Sequence, residues 1–352
     1  MVESESVKLT NTKIVLKSNP TEFFKLKEHF ETVTGEEEFK LTQGQVLVEI
    51  KFVSFDASQR VMLTGKKLFY MPEELTPGKT VMAICIGVVT KSKSQKYKEG
   101  QWVSGIMNWS TYGVYHESAL TPEIESHPLN QYRMGWMTYL TAYFGLTKVG
   151  LVDGEVNTKR EKPLNVLVST AAGATGSSAA QLAKAWGCNV VGIAGGADKC
   201  EKFSKKLGIP MLDYKKNEGK DLAAEIKQAL PNGIDVYYDN VGSWMLDIVF
   251  DQINMFGRII SCGMVSNYND SNVHFKNFFN IISRRVTISG FIVMDYISES
   301  PKALDVAQNL IKEGKFEFIM DKNVGPITDC PRLIEEFFLG QNTGKFFLEV
   351  TK

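Results

Sequence analysis

The chain has 352 residues, and its 40 Lys and Arg residues balance 40 Asp and Glu residues, so the formal net charge is zero. Nucleic-acid-binding and membrane-surface proteins normally carry a basic excess, so we expect neither kind of partner. Hydrophobic residues make up 43% of the chain, which is enough for sizeable cores, and the length predicts about two domains. The longest near-continuous apolar stretch, 81–89, is far shorter than the roughly 20 residues that span a bilayer.

The first residues and the cysteines both favour a cytoplasmic location. The start of the chain is acidic and has no apolar core of the kind that secretory signals carry. The cysteines are odd in number and far apart, which disfavours a disulfide framework and fits a reducing compartment. They are Cys85, Cys188, Cys200, Cys262 and Cys330. Because no two cysteines are close in sequence and only four histidines exist, we expect no structural zinc site.

The segment 45–115 has the pattern of short β-strands. Its apolar runs include V-L-V-E-I-K-F-V-S, T-V-M-A-I-C-I-G-V-V and Q-W-V-S-G-I, and glycine and proline separate them. Short strands at close spacing, divided by turn residues, predict a compact β-barrel-like unit.

From residue 134 onward, helices and buried strands alternate. A helix is predicted at 134–146, and six strands follow at 164–169, 189–194, 211–214, 234–239, 258–262 and 286–291. The helices between them are expected at 177–187, 199–207, 221–230, 244–253 and 275–282. This alternation predicts an α/β fold with a doubly wound parallel sheet.

The remaining residues return to mixed helix and strand and are too few to fold alone. We therefore expect a catalytic domain at 1–132, a nucleotide-binding domain at 133–303, and a return segment at 304–352 that completes the catalytic domain.

A glycine-rich loop follows the first buried strand of the alternation. The residues read A-x-G-x-x-G, with Ala171 in the first position of the dinucleotide fingerprint. Gly173 would let the backbone approach a pyrophosphate, and Gly176 would let helix and strand pack closely. The first helical turn, with Ala174 and Thr175, offers N–H groups to phosphates. The alternative is a glycine turn that only permits tight packing.

The end of the second strand favours NADP over NAD. NAD-preferring sites usually have an acid there to bind the ribose, but this strand ends in Ala194, Gly195 and Gly196. Glycines leave room for a 2′-phosphate, and Lys199 can neutralise it. Asp198, at a helix start, fits a capping role better than ribose binding. The alternative for Lys199 is a solvated surface lysine.

Three further loops follow the third, fourth and fifth strands. Tyr214 ends the third strand, Asn240 follows the fourth, and the loop 262–268 follows the fifth. Ligands of such sheets bind beyond the carboxyl ends of the strands, so these loops should line one crevice. The alternative for Asn240 is a turn residue in an Asn-x-Gly sequence.

Several motifs together resemble a known family. They are the stretch V-S-T-A-A-G-A-T-G-S-S-A-A-Q-L-A-K-A-W-G, L-T-A-Y-F-G-L at 140–146, the loop G-M-V-S-N-Y-N, and G-Q-N-T-G-K at 340–345. On these residues the chain resembles the zinc-independent medium-chain dehydrogenases/reductases, in the branch of prostaglandin reductases and plant-type double-bond reductases. The resemblance covers nearly the whole chain from about residue 40. It implies a GroES-like β-barrel catalytic domain beside a Rossmann domain, NADP(H) as cofactor, and commonly a homodimer.

The resemblance also implies roles for individual residues. Gly173, Ala174 and Gly176 would meet the pyrophosphate, and Lys199 and Tyr214 the adenosine phosphate and ribose. Tyr268 matches a tyrosine proposed to assist at the substrate carbonyl or enolate. The other cofactor contacts that it implies are Asn240, Cys262, Gly263, Met264, Ser266, Phe291, Ile292, Val293 and Asn342.

Zinc-dependent members of the superfamily carry a cysteine and a His-Glu pair at two positions. Here those positions read V-S-F-D-A-S-Q-R and P-G-K-T-V-M-A-I-C, without those ligands in that arrangement, so no metal is expected. Alcohol oxidation without a Lewis acid loses its means of stabilising an alkoxide. Reduction of an activated C=C bond needs none, because conjugation with a carbonyl makes the β-carbon electrophilic.

The substrate pocket departs from the family pattern. The family often has Asp-Pro-Tyr-Met-Arg where this chain has Asp56 to Arg60, with Ser58 in place of the tyrosine. Asp56 and Arg60 are pocket candidates, although a structural ion pair would also explain them. Tyr70 and Trp109 are candidate pocket walls, with a core position as the alternative.

These observations predict reduction of the activated C=C bond of α,β-unsaturated aldehydes or ketones, including 15-oxo-prostaglandin-type substrates, by NADPH. The alternatives are an NADPH quinone oxidoreductase, which shares the fold and lacks zinc, and a non-catalytic NADPH-binding protein.

Overall fold

The computed structural model describes residues 6–21, 25–66, 73–123, 127–154, 160–216, 220–266, 268 and 274–351. The chain divides into two compact units, and each is built from separate stretches of sequence. The first unit takes Met1–Met134, Asp321–Asn342 and Phe346–Lys352, and the second takes Gly135–Met320 and Thr343–Lys345.

The strands and helices, numbered in chain order, are as follows. The strands are β1 Ser6–Leu16, β2 Phe30–Lys40, β3 Gln45–Ser54, β4 Met82–Ser92, β5 Trp102–Asn108, β6 Tyr112–His116, β7 Leu120–Pro122, β8 Asn165–Val168, β9 Asn189–Ala194, β10 Met211–Asp213, β11 Ile234–Asp239, β12 Ile253–Ser261, β13 Thr287–Gly290, β14 Met320–Gly325 and β15 Lys345–Val350. The α-helices are α1 Gln59–Leu63, α2 Trp136–Phe144, α3 Ala174–Ala185, α4 Ala197–Leu207, α5 Leu222–Ala229, α6 Ser243–Gln252, α7 Asn280–Ser283, α8 Ser300–Lys312 and α9 Cys330–Phe338.

Short helical turns supplement these elements. Five 3-10 turns of the described chain lie at Leu26–His29, Glu117–Ala119, Asn130–Gly135, Val293–Glu299 and Ile327–Asp329. A π-helical turn, Gly145–Gly150, continues α2. No helix in the described ranges combines the length and apolarity needed to cross a membrane.

The first unit is built on β-structure, as the strand-like pattern at 45–115 predicts. A sheet has the order β14-β15-β3-β4-β5-β7, and β6 also pairs with β3. The β3–β4, β4–β5, β5–β7, β3–β6 and β15–β3 pairs are antiparallel. Strands β1 and β2 form a second antiparallel pair, in register from Ser6 opposite Lys40 to Leu16 opposite Phe30.

Alternating side chains of this sheet form the core of the first unit. Val46, Val48 and Ile50 on β3 are buried, as expected where every second residue of a strand faces inward. Helix α9 adds Leu333 and Ile334 to the same apolar cluster. The β4 strand adds Cys85, whose thiol is fully buried.

The second unit contains a six-stranded parallel sheet in the order β10-β9-β8-β11-β12-β13. Every pair in it is parallel, so the predicted doubly wound sheet is confirmed. Strand β8 is buried on both faces, as its continuous apolar sequence indicates. The strand order reverses between β8 and β11, and ligands of such sheets bind at this reversal point.

Most predicted elements of the second unit match the structure, and two differ clearly. Strands β9 and β11 have the predicted bounds. Strand β12 begins at Ile253 instead of 258, because Ile253 already pairs with Ile234 before a bulge. The helix predicted at 275–282 is reduced to α7, because Asn277 donates its backbone N–H to the Asp247 carboxylate at 2.8 Å and its side-chain amide to the Asp247 carbonyl.

The return segment begins later than 304. Residues 304–320 belong to the second unit, because α8 and the residues after it pack on α2. The Tyr139 hydroxyl donates to the Ala303 carbonyl at 2.7 Å, and the Tyr139 ring lies 5.2 Å and 5.6 Å from the rings of Phe316 and Phe318.

Candidate nucleotide-binding site

The glycine loop connects β8 directly to α3, at the reversal point of the sheet. Thr170 adopts a left-handed backbone with φ of 50°, which is unusual for a β-branched residue. The Gly173 N–H closes the turn on the Thr170 carbonyl at 2.8 Å, and the Ala171 N–H donates to Ile193 of β9 at 2.9 Å. The loop is therefore fixed by backbone bonds to itself and to the neighbouring strand.

The two glycines of the loop have different surroundings. A Cβ added to Gly176 would overlap the Thr170 carbonyl oxygen and lie 2.9 Å from the Ser169 oxygen. A Cβ added to Gly173 would meet one atom, the Thr170 carbonyl oxygen at 3.2 Å. Gly176 is thus required by the packing of α3 on β8, whereas Gly173 leaves the loop backbone open to a ligand.

The N-terminus of α3 has the features of a phosphate site. Gly173 is its N-cap residue and has no side chain to satisfy the first amides. The N–H groups of Ala174, Thr175 and Gly176 belong to the first turn, which has no intrahelical acceptors. Such amides and the helix dipole favour an anion.

A later segment also contacts the glycine loop, and the sequence analysis missed this contact. Gly344 donates its N–H to the Ala172 carbonyl at 2.8 Å and has a φ of 65°. Gly344 belongs to the G-Q-N-T-G-K motif at 340–345. This motif matches the family pattern, but the match alone does not indicate a contact with the glycine loop. Asn342, expected at the cofactor, belongs to the first unit, whereas Thr343–Lys345 belongs to the second.

Ser169 and Asn240 link the loops that follow β8 and β11. The Asn240 backbone N–H donates to Ser169 Oγ at 2.9 Å, and its side-chain amide donates to the Ser169 carbonyl at 2.8 Å. Ser169 Oγ also donates to the Tyr238 carbonyl at 3.1 Å. Asn240 therefore joins the two central strands, a role that neither sequence alternative included.

Asp239 shapes the loop after β11. Its carboxylate accepts the N–H groups of Val241 and Gly242 at 2.9 Å each. Its backbone carbonyl accepts the N–H groups of Cys262 and Gly263 at 2.9 Å and 3.1 Å, so it also holds the loop after β12. Burial raises the pKa of Asp239, and the two backbone donors oppose that rise.

The loop after β12 carries the predicted catalytic tyrosine. Ser266 is bonded through both its N–H and its hydroxyl to the Val241 carbonyl, at 3.2 Å and 2.6 Å. The Tyr268 hydroxyl lies 3.4 Å from the position that a Cβ of Gly263 would occupy. The phenol oxygen is thus beside the carboxyl end of β12, close to Gly263, and Met264 is exposed.

Cys262 is a poor nucleophile in this setting. Desolvation raises the pKa of its thiol to about 12, although a hydrogen bond with the Tyr238 hydroxyl opposes part of that rise. The same hydroxyl donates to the Thr141 carbonyl at 2.9 Å. Because only the thiolate attacks efficiently, Cys262 supports the site as a neutral side chain.

The loops after β9 and β10 are bonded to each other at the carboxyl ends of these strands. Asp213 accepts the N–H groups of Gly196 and Lys215 at 2.7 Å and 2.9 Å. The sequence analysis looked for an acid at the end of the second strand and missed this one, which comes from the third. Tyr214 covers Gly195, since a Cβ there would lie 2.7 Å from its ring, and half-buried Lys199 lies in the first turn of α4.

The residues after β13 lie beside α2. A Cβ on Gly145 would lie 2.9 Å from the Phe291 ring, so Gly145 permits this close approach. Phe291, Ile292 and Val293 are half-buried, as residues that line a crevice would be.

The structure gives contacts for two of the predicted substrate-pocket residues, Asp56 and Arg60, and excludes a third, Trp109, from a pocket. The Ser54 hydroxyl donates to the Asp56 carboxylate, and the Arg60 guanidinium lies 6.0 Å from the Phe338 ring. Trp109 does not line a pocket: it is 0% exposed and lies in the core of the first unit, with its ring 5.8 Å and 5.7 Å from the rings of Phe30 and Phe55. Tyr70 is outside the described residues.

The described ranges contain no cluster of side chains that could bind a metal ion. No three side chains of His, Cys, Asp or Glu there lie close enough together to hold a metal ion.

Family models match both parts of the chain. A model described as "N-terminal domain of oxidoreductase" matches residues 12–122. A model described as "Zinc-binding dehydrogenase" matches residues 174–309, which contain α3 and β9 to β13.

Curated proteins and solved structures give the same picture. The chain is 31% identical to "2-alkenal reductase (NADP(+)-dependent)" from Nicotiana tabacum, covering 98% of both chains. It is 33% identical to "Prostaglandin reductase 1" from Mus musculus, covering 91% of this chain and 96% of that protein. The NADPH complex of CurA from Vibrio vulnificus has a TM-score of 0.83 at 24% identity, covering 97% of this chain and 99% of that chain.

The parallel sheet, the glycine loop and the β-rich first unit define an NADP-dependent, two-unit oxidoreductase. The chain belongs to the medium-chain dehydrogenase/reductase family, in its zinc-independent double-bond reductase branch. The resemblance stated from the sequence is therefore confirmed.

Proposed function

We propose that this protein reduces the activated C=C bond of α,β-unsaturated aldehydes and ketones with NADPH. The observation that carries the proposal is the similarity to a 2-alkenal reductase over 98% of both chains. A (+)-pulegone reductase from Mentha piperita, 30% identical over 88% of this chain, supports the same reaction class.

The described residues fit NADP(H). Gly173 leaves the loop backbone open, and the first turn of α3 supplies amides for the pyrophosphate. Lys199 supplies a positive charge near Gly195 and Gly196 for the 2′-phosphate. Asp213, the acid at this end, is already bound by two backbone N–H groups.

The chemistry requires a hydride, a proton and stabilisation of one oxygen. Bound NADPH supplies the hydride that adds to the substrate β-carbon. The π electrons of the C=C bond then move through the α-carbon to the carbonyl oxygen, which becomes the oxygen of an enolate. Tyr268, beside Gly263 at the end of β12, donates a hydrogen bond to that oxygen. The α-carbon takes a proton from water or from the Tyr268 phenol, which then regains its proton from water.

We further propose that the protein is a cytoplasmic homodimer. Among the described strands, β13 is paired on one side only, by β12. Apolar side chains near it, including Phe279 and Ile282, are about 70% exposed, and a second copy would cover them. Light scattering should give twice the chain mass, whereas a single-chain mass would refute the dimer.

The state of the cysteines supports the cytoplasmic location. They are free thiols, which fit a reducing compartment. They are Cys85, Cys188, Cys200, Cys262 and Cys330.

The test of the reaction is NADPH oxidation with a panel of 2-alkenals, enones, 15-oxo-prostaglandins and quinones, with identification of each product. We expect saturated aldehydes and ketones as products. Turnover restricted to quinones would support a quinone reductase instead. Tight NADPH binding without turnover of any acceptor would show a non-catalytic binding protein.

A further inference from the structure

Trp244 is an exposed aromatic residue next to the candidate cofactor crevice. It is the second residue of α6, immediately after the loop that Asp239 shapes. Its side chain is 40% exposed, and its ring centroid lies 6.0 Å from that of Tyr214, with 50° between the ring planes. The amphipathic indole thus contacts one ring and leaves other surface open to solvent.

The contacts of Tyr214 determine where the aromatic pair of Tyr214 and Trp244 lies. Its backbone N–H donates to the Ala194 carbonyl at 3.0 Å, which ties it to the carboxyl end of β9. Its ring packs on Gly195, where a Cβ would lie 2.9 Å from Cζ, and the side chain joins the apolar core of the sheet. The pair therefore lies where β9, β10 and β11 end.

This position corresponds to one half of a bound dinucleotide. In a doubly wound sheet the pyrophosphate lies at the first βα turn, and the adenosine half extends toward the end of the second strand. Here those landmarks are the glycine loop and Gly195. Adenine has two flat faces that stack well on aromatic side chains, and the open surface of Trp244 is the exposed aromatic surface beside Tyr214.

Trp244 also differs in setting from another group of exposed apolar side chains in the second unit. Met255, Phe256, Phe278, Phe279 and Ile282 are all more than half exposed. They belong to β12, to α7 or to the residues just before α7. By sequence position, Met255 and Phe256 fall in the first half of β12, away from its carboxyl end. That group fits a protein contact, whereas Trp244 follows the carboxyl end of β11 and lies beside Tyr214.

We propose that Trp244 is a cofactor-binding residue, stacking its indole on the adenine while the Tyr214 ring supports the indole from the other side. This inference rests on the proposed NADPH-dependent function, because it assigns the adenine end of that same site. It explains why a large aromatic side chain stays partly exposed at the start of α6.

The test compares binding of fragments to wild type, Trp244→Ala and Trp244→Phe. Adenosine 2′,5′-bisphosphate probes the adenosine half alone, reduced nicotinamide mononucleotide probes the other half, and NADPH probes both. Phe256→Ala is the matched control, because Phe256 is an exposed aromatic in the first half of β12. Thermal unfolding of each variant is measured alongside.

We expect Trp244→Ala to weaken adenosine 2′,5′-bisphosphate and NADPH by the same factor, about tenfold, since base–aromatic stacking has that size. Trp244→Phe should retain most of the affinity. Affinity for reduced nicotinamide mononucleotide should not change, and Phe256→Ala should bind all three like wild type.

Two outcomes would overturn the inference, and they are distinguishable from a failure of the proposed function. Unchanged affinity of Trp244→Ala for adenosine 2′,5′-bisphosphate would show that the indole only shields Tyr214. Equal losses for all three ligands would show a structural role. If wild type itself bound neither adenosine 2′,5′-bisphosphate nor NADPH, the proposed function would fail and this inference with it.

Discussion

Single buried polar groups hold the loops of the candidate site in position. Asn240 joins the ends of β8 and β11 by donating its backbone N–H and its side-chain amide to Ser169, and Asp239 holds the loops after β11 and β12. Each of these groups is less than one-tenth exposed, and an unsatisfied group there would cost about 1–3 kcal/mol. The loops of the candidate site are thus positioned by buried, hydrogen-bonded polar groups.

Tyr268→Phe tests the role of the phenol. A donor to the developing enolate oxygen acts mainly in the transition state, so its loss should lower kcat more than binding. Loss of one such donor can cost roughly a hundredfold, and a cofactor hydroxyl can share the task, so we expect a fall of about ten- to a hundredfold for enones. NADPH affinity, measured by titration, should be nearly unchanged. Wild-type turnover of the variant would remove Tyr268 from the mechanism.

Lys199→Ala tests the preference for the 2′-phosphate. A charge-assisted hydrogen bond contributes roughly 1.5–3 kcal/mol, so the affinity for NADPH should fall about tenfold to a hundredfold. NADH lacks the 2′-phosphate, so its affinity should barely change. Lys202→Ala is the matched comparison, because Lys202 is an exposed lysine further along α4. Equal losses for NADPH and NADH would contradict the assignment.

The connection between β8 and α3 allows a sharper test at the scale of elements. Gly176→Ala places a methyl group against the Thr170 carbonyl, so the free energy of unfolding should fall by about 1–3 kcal/mol. Gly173→Ala adds a methyl with one contact at 3.2 Å, so the fold should be nearly as stable while NADPH affinity falls. Denaturant unfolding and NADPH titration of both variants check this pair. If Gly173→Ala bound NADPH like wild type, the loop would not be the pyrophosphate site.

Sequence patterns predicted the parallel sheet well because each of its strands is marked by a short, contiguous run of apolar residues. Runs such as V-L-V at 166–168 are apolar on both faces, which marks buried parallel strands, and the glycine loop is contiguous. The helix predicted at 275–282 was too long because Asp247, distant in sequence, binds Asn277. The return boundary was misplaced for a similar reason, since the amphipathic pattern of α8 does not indicate that its partner is α2.

The contacts at the site that sequence patterns did not predict also join distant parts of the chain. The Gly344 bond to Ala172, the link between Ser169 and Asn240, and the Asp213 carboxylate at Gly196 all join residues from different segments. No local period or motif contains such pairs. Trp109 was assigned to a pocket because aromatic residues occur both in cores and in binding sites, and the burial of a single side chain is not visible in the local sequence.

At the scale of the whole molecule, both units are completed by a late stretch of the chain. The second unit ends at Met320 and regains Thr343–Lys345, whereas Phe346–Lys352 belongs to the first unit. Gly344 therefore binds the glycine loop, and the residues from Phe346 onward belong to the β-rich first unit. The net charge of zero gives no long-range attraction for anionic NADPH, so we expect the local amides and Lys199 to supply the electrostatic recognition.

The proposed reaction transfers a hydride from NADPH to the β-carbon of an enone or enal. The most direct measurement uses NADPH carrying deuterium at the transferred position, a 2-alkenal as acceptor, and mass spectrometry and NMR of the product. We predict a saturated aldehyde with one deuterium on the β-carbon and the carbonyl intact. An allylic alcohol with deuterium on the carbonyl carbon would contradict the account, because the C=C bond would then have been left unreduced.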